Sequence, residues 1–177
     1  MKVIALLRGV TPTGKNRIPK MSYLAQILQE AGFQNVKTYI QSGNIILDTE
    51  LSEKETEERI HSAILKKIGA NLSVILKKPN QLQVAVKENP FDESYEYSRI
   101  HFVFTNDSIE EVKVEELKNR NFGEEKFMVG SECLYMYLPR NARKKKLNTN
   151  YLERQLSITA TMRKLNVIHL AASVEDS

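Results

Sequence analysis

Three short stretches near the start of the chain combine glycine with side chains that can donate hydrogen bonds: Arg8-Gly9, Gly14-Lys15-Asn16 and Thr38-Tyr39-Ile40-Gln41-Ser42-Gly43-Asn44. Glycine lets a ligand approach the backbone, and Arg, Lys, Asn and Gln supply donors. That chemistry is recognition of an anion or a polar ligand. A second concentration of cations lies towards the other end. Residues 140–164 hold eight Lys and Arg against the single acid Glu153, a net of +7, while residues 1–29 hold five and no acid. The whole chain carries +4, so the remainder sums to −8. Two basic blocks on an acidic body set up a directed field for an anionic partner. A merely solvated surface is the alternative for Arg143-Lys144-Lys145-Lys146, since charge runs usually face water.

Gly9-Val10-Thr11-Pro12-Thr13-Gly14-Lys15-Asn16 fits the nucleotide-binding pattern G-x-x-x-x-G-K, and Ile45-Ile46-Leu47-Asp48 looks like the strand that would carry its acidic partner. Three features oppose a triphosphatase. Asn16 lacks the hydroxyl that would hold magnesium, Pro19 delays the helix start, and the strands read as antiparallel. A simple anion-binding loop and a purely structural loop both remain open. Conventional catalytic sets are absent: His61, His101 and His169 have no ligand spacing, and the single cysteine, Cys133, cannot build a zinc site or an internal disulfide. Ser42 has no nearby histidine and reads as a turn residue, and His101 reads as a satisfied structural histidine. Asp92, Glu93 and Glu96 form an acidic loop with no second cluster to complete a metal site. There is no cofactor signature.

The elements that must position these residues follow from periodicity. A strand over about 3–8 leads through a polar loop to a helix over about 19–31, with Met21, Leu24, Ile27, Leu28 and Ala31 as its buried stripe. Strands at about 35–40 and 44–48 are joined by Gln41-Ser42-Gly43, a hairpin signal. Ser52-Glu53-Lys54-Glu55 is a capping box for a helix ending before Gly69, and a strand over 72–77 follows. The order β-α-β-β-α-β is that of a ferredoxin-like unit. In it, the exit of the first strand and the hairpin after the second share one edge of the sheet.

The second half nearly repeats the order. A short helix around Leu82–Glu88 precedes a strand at 99–105, with Ile100, Phe102 and Phe104 on one face. Ser108-Ile109-Glu110-Glu111 reads as another capping box. Strands at about 126–130 and 133–138 come next, then helices at about 148–157 and 162–172, so that the last strand is missing or replaced by a helix. Arg154 and Arg163 thus fall on helices beside the second basic block. Tyr135 and Tyr137 share a sheet face; exposed, they would stack nucleobases, but core packing is the favoured reading in the absence of aromatic-rich RNA-binding motifs. The expected fold is α+β: two tandem ferredoxin-like halves, residues 1–78 and 99–177, joined by residues 79–98.

Ala5-Leu6-Leu7-Arg8-Gly9, Gly14-Lys15-Asn16 and Thr38 to Asn44 together resemble a bacterial family known only as domain of unknown function 1697. The likeness continues through Asn89-Pro90-Phe91, Tyr137-Leu138-Pro139, Leu147, Glu153-Arg154 and Ala160-Thr161-Met162-Arg163. In this family the loop reads closer to G-I-N-V-G-G-K-N, and Val10-Thr11-Pro12-Thr13 stands in place of its middle. The resemblance implies paired ferredoxin-like halves and says nothing of a reaction.

An apolar share of 41% with 27% charged residues is that of a globular protein with a real core. The run Val3-Ile4-Ala5-Leu6-Leu7 is too short to span a bilayer or serve as a signal peptide, so a cytoplasmic location and no membrane partner are expected. The functional expectation is binding of an anionic ligand, nucleic acid or a phosphorylated small molecule. Arg8, Lys15, Asn16, Tyr39, Gln41, Ser42 and Asn44 would form one patch; Arg143, Lys144, Lys145, Arg154 and Arg163 would form a second. Two alternatives are an enzyme acting on a phosphorylated metabolite and a homo-oligomeric interaction module.

Overall fold

A computed structural model describes residues 1–39 and 43–173. The chain is a mixed α+β protein with two four-stranded antiparallel sheets and, among the described residues, six helices. It divides into two compact units, the first built on residues up to Pro79 and the second from Asn80 onward.

In the first unit the order is β1 (Lys2–Arg8), α1 (Met21–Glu30), β2 (Gln34–Thr38), β3 (Asn44–Asp48), α2 (Glu53–Ile68) and β4 (Ser73–Lys77). The sheet order is β2-β3-β1-β4. Val3, Ala5 and Leu7 join Leu24 and Leu28 of α1 and Ile60 and Ile64 of α2 in the core. Ile4 and Leu6, on the other face of β1, are also fully buried, so the strand reads as an unbroken apolar run rather than an alternating one. The helix α2 starts where its capping box predicts: the Glu55 amide donates to Ser52 Oγ at 3.1 Å. It stops at Gly69, whose φ of +83° is the left-handed conformation that glycine adopts without cost.

The register fixes which ends of strands meet. Leu6 lies opposite Asn44, and the Leu7 amide donates to the Gly43 carbonyl at 2.9 Å. Gly43 has φ +85°, and a Cβ there would sit 2.7 Å from Leu7 Cβ, so the bend closes against β1 with no space for a side chain. The exit of β1 and the entry of β3 are therefore neighbours, as the sequence predicts. Gln41 and Ser42 lie outside the described residues. At the far end of the same pair Lys2 faces Asp48. Six residues of extended strand put about 20 Å between Asp48 and the loop after Arg8, so Asp48 cannot serve that loop as the acidic residue of a triphosphatase does. Asp48 Oδ2 instead accepts from Asn35 Nδ2 at 2.6 Å.

The second unit opens with α3 (Pro79–Lys87), which starts earlier than the sequence pattern predicts. It continues through β5 (Ile100–Thr105), α4 (Glu111–Lys118), β6 (Lys126–Val129), β7 (Leu134–Tyr137), α5 (Thr149–Leu156), β8 (Ala160–Lys164) and α6 (Leu165–Ala172). Its sheet order is β6-β7-β5-β8, the same arrangement as in the first unit. Two expectations are corrected. The last strand is present: β8 pairs antiparallel with β5, from His101 opposite Lys164 to Thr105 opposite Ala160. Met162 and Arg163 consequently belong to a strand, because Ser157, at φ +55°, ends α5 and the chain returns extended. The second capping box does not form. The N-cap of α4 is Glu110 and makes no side-chain cap. Asp107 Oδ2 instead accepts from the Thr159 amide at 2.7 Å, tying that loop to the start of β8.

Both faces of this sheet are packed. Val103, Leu134 and Met136 join Leu117 of α4 and Leu152 of α5 on one side. On the other, Tyr135 is 1% exposed and its hydroxyl donates to the Ala85 carbonyl of α3 at 2.7 Å. Tyr137 packs its ring against Phe91 and Tyr95, with centroids 5.7 and 4.9 Å away. These tyrosines are core, not a platform for bases.

His101 departs from the satisfied histidine expected of it. It is 5% exposed, and neither ring nitrogen has a hydrogen-bond partner among the described residues. Burial, reinforced by the positive charges of Arg99 and Lys164, lowers its pKa to about 4. The unfolded chain therefore binds a proton that the folded chain refuses between the ordinary value of about 6.5 and about 4. Stability is full above the upper limit and is lost as pH falls through that window, by up to about 3 kcal/mol. Urea titrations at about pH 7 and pH 4.5 will show a larger loss for the natural protein than for His101→Leu; equal losses would mean that His101 is not buried neutral.

Candidate functional site

The described residues of the first predicted patch gather at one end of the first sheet, and most of them are half-buried or buried. Arg8 ends β1, half-buried, opposite Ser73. Asn16 is half-buried, and its Oδ1 accepts from the Asn71 amide at 3.1 Å, pinning the loop to the segment before β4. Asn44 is 1% exposed. Tyr39 is half-buried, its amide donating to the Asn44 carbonyl at 3.1 Å. Among the described residues of the patch only Lys15 is exposed, with no ion pair among the described residues.

The loop itself is closed by its own backbone. The Thr11 amide donates to the Asn16 carbonyl at 3.1 Å, and Arg17 donates to the Gly14 carbonyl at 3.3 Å, with Gly14 at φ +84°. α1 begins only at Met21, six residues past Lys15, which removes the amide cradle of a triphosphatase loop. Sequence reading missed two residues here. Arg17 and Lys20 are exposed and line a cleft of about 480 Å³ together with Val10, Ile18 and Met21. The only sequence signal for them was the absence of acids before Glu30. Lys20 is also the N-cap of α1, which has no side-chain cap and no acid in its first turn, so the helix end adds positive potential.

The second patch is differently made. Arg143, Lys144 and Lys145 are exposed, and so are Lys146, which belongs to the same run, and the flanking Arg140. What holds their loop is a pair of carboxylates acting on backbone, not on the cationic heads. Glu125, 4% exposed, accepts through Oε1 from the amides of Lys146 at 2.7 Å and Leu147 at 2.9 Å. Glu124 Oε2 accepts from the Arg143 amide at 2.6 Å. Ala142 and Leu147 are buried anchors on either side. The Lys146 ammonium lies 5.5 Å from the centre of the Tyr151 ring, and Arg120 donates to the Tyr151 hydroxyl at 2.8 Å. Because the acids are spent on amides, the side chains of Arg140, Arg143, Lys144 and Lys145 keep their charge for solvent. No sequence pattern signalled this, since Glu124-Glu125 reach the loop from about twenty residues away.

The remaining predicted residues separate. Arg154, on α5, is exposed with no ion pair among the described residues, while its neighbour Glu153 accepts from the Ala160 amide at 2.9 Å. Arg163 is half-buried in β8, not on a helix, and one of its guanidinium nitrogens donates to Thr161 Oγ1 at 2.6 Å and to the Met162 carbonyl at 2.9 Å. Among the described residues no group of three or more His, Cys, Asp or Glu could hold a metal ion, and no helix is long and apolar enough to cross a membrane.

With this geometry in view, comparison with known proteins gives a family and a fold. A model described as "Protein of unknown function (DUF1697)" matches residues 1–135. The chain belongs to the DUF1697 family. No curated protein matches it. Among solved structures, the conserved bacterial protein SP0830 from Streptococcus pneumoniae is similar, with a TM-score of 0.73 at 19% identity over 97% of this chain and 96% of that one. That likeness concerns the fold alone. The DUF1697 match ends within β7, so the basic loop, α5, β8 and α6 lie beyond the matched residues.

The amide clamp can be tested directly. Glu125→Ala strands two amides and removes a buried acceptor, and will cost about 2 kcal/mol in denaturant unfolding. Amide exchange at Lys146 and Leu147 will accelerate in the variant; unchanged exchange there would show that the loop is held by something other than Glu125.

Proposed function

We propose that this protein binds an anionic ligand, and that the loop over residues 140–146 takes the phosphate backbone of a nucleic acid. One observation carries the reading: five exposed cations within seven residues sit on a loop whose backbone is clamped by Glu124 and Glu125. A clamped loop presents charge without first paying the entropy of ordering itself. An exposed run of long cationic side chains suits a repeating polyanion better than a single small molecule. With Tyr135 buried and Tyr137 packed in an aromatic cluster, no stacking platform accompanies the cations, so the binding is to backbone and insensitive to sequence.

We further read the architecture as two tandem ferredoxin-like halves. The support is that both units contain the order β-α-β-β-α-β and share one strand order, the second unit adding α3 ahead of that set and α6 after it. A cytoplasmic location accords with the absence of a membrane-spanning helix among the described residues.

Fluorescence anisotropy with labelled single- and double-stranded oligonucleotides of about 20 residues provides the test. Neutralising about four phosphates gives a slope of about −3 to −4 in the logarithm of affinity against the logarithm of salt concentration. The double variant Lys144→Glu with Lys145→Glu will bind at least about tenfold more weakly and with a shallower slope. Binding that shows no salt slope, or is unchanged in the variant, would overturn the proposal.

A further inference from the structure

The first unit contains a cavity that the nucleic-acid reading does not use. It is a half-open cleft between the loop leaving β1 and the start of α1, of about 480 Å³, within the size range of small-molecule sites. Its walls are of two kinds. Val10, Ile18 and Met21 are half-buried and pack against the hydrophobic core of the unit, so the apolar wall is fixed to the interior. Arg17 and Lys20 are exposed, line the same cavity, and make no ion pair among the described residues. No carboxylate lines it, and no acid occurs in the sequence before Glu30.

The loop is shaped before any ligand arrives. The Thr11–Asn16 and Arg17–Gly14 backbone hydrogen bonds close it on itself, and the bond from the Asn71 amide to Asn16 Oδ1 ties it to the segment ahead of β4. Two cations beside an apolar wall select a ligand with both characters. A bare inorganic anion would leave the wall of Val10, Ile18 and Met21 in water, and a neutral apolar molecule would leave Arg17 and Lys20 uncompensated.

We infer that this cleft binds a small organic anion: one phosphate or carboxylate group held by Arg17 and Lys20, joined to a compact apolar body resting on Val10, Ile18 and Met21. The guanidinium of Arg17 offers the planar fork that grips two oxygens at once, and Lys20 adds a point charge. The site is independent of the basic loop in the second unit, so either can fail without the other.

The test titrates the full chain with phenyl phosphate, benzoate, inorganic phosphate and benzyl alcohol, following amide shifts by NMR and affinity by calorimetry. Saturable binding is expected for phenyl phosphate or benzoate, at least about tenfold tighter than inorganic phosphate or benzyl alcohol. Whichever organic anion is preferred identifies the headgroup. Shifts will centre on Val10, Ile18 and Met21. Arg17→Gln and Lys20→Gln, both at exposed positions, will each weaken binding about tenfold, while the double variant Lys144→Glu with Lys145→Glu will leave it unchanged. The inference is overturned if no probe saturates, if inorganic phosphate binds as well as phenyl phosphate, or if the shifts and losses map to the second unit.

Discussion

β1 and β5 each occupy an interior place in a four-stranded sheet, hydrogen-bonded to a neighbour on both edges, and every other feature of the two units is arranged around that requirement. A strand paired on both edges has no backbone group left for a ligand. With Ile4 and Leu6 buried on one face of β1 and Ala5 and Leu7 on the other, it has no side chain to offer either. Polar chemistry is expelled to the strand ends, where the chain must turn. The loop after Arg8 and the loop after Tyr137 are the places where cations accumulate, and both leave the ends of sheet strands.

At those ends side-chain acceptors and incoming anions compete for the same backbone amides. Asn16, Asn44, Glu124 and Glu125 are short enough to be consumed by the local backbone or by burial: Asn16 serves the Asn71 amide, and the two glutamates serve the loop at 143–147. Long side chains escape that fate because four or five bonds separate the charge from the backbone. The charged groups left exposed at these two places are accordingly Lys and Arg, although the sequence around them is rich in amides and acids. Arg163 marks the limit of this rule. Placed within β8 rather than beyond a strand end, it folds back onto Thr161 and Met162.

The legible parts of the fold are those with local punctuation. α2 carries its own start and stop, Ser52 Oγ accepting from the Glu55 amide and Gly69 taking the left-handed turn. The meeting of β1 with Gly43 and Asn44 followed from strand order alone. β8 was illegible because it is five residues long and passes from Lys164 into α6 at Leu165 with no glycine, proline or turn between; Met162, Leu165 and His169 then mimic one helical stripe. Ser108 carried the signature of a cap but lost the loop to Asp107, whose partner, Thr159, is fifty-two residues away. The candidate site shows the same division. Its cations could be counted in the sequence, but their availability depended on carboxylates and amides brought from distant segments, as with Glu125 and Leu147.

The two cationic surfaces differ in where their binding free energy must come from. On the open loop at 140–146 there is little apolar area to bury, so attraction arises from charge and from the counterions a polyanion sheds, and salt erodes both. In the cleft, part of the gain comes from covering Val10, Ile18 and Met21, which added salt does not weaken. Ionic strength therefore acts on the two unequally. On the proposed binding modes, concentrated salt would release a polyanion from the loop, while an organic anion in the cleft would retain the apolar share of its affinity.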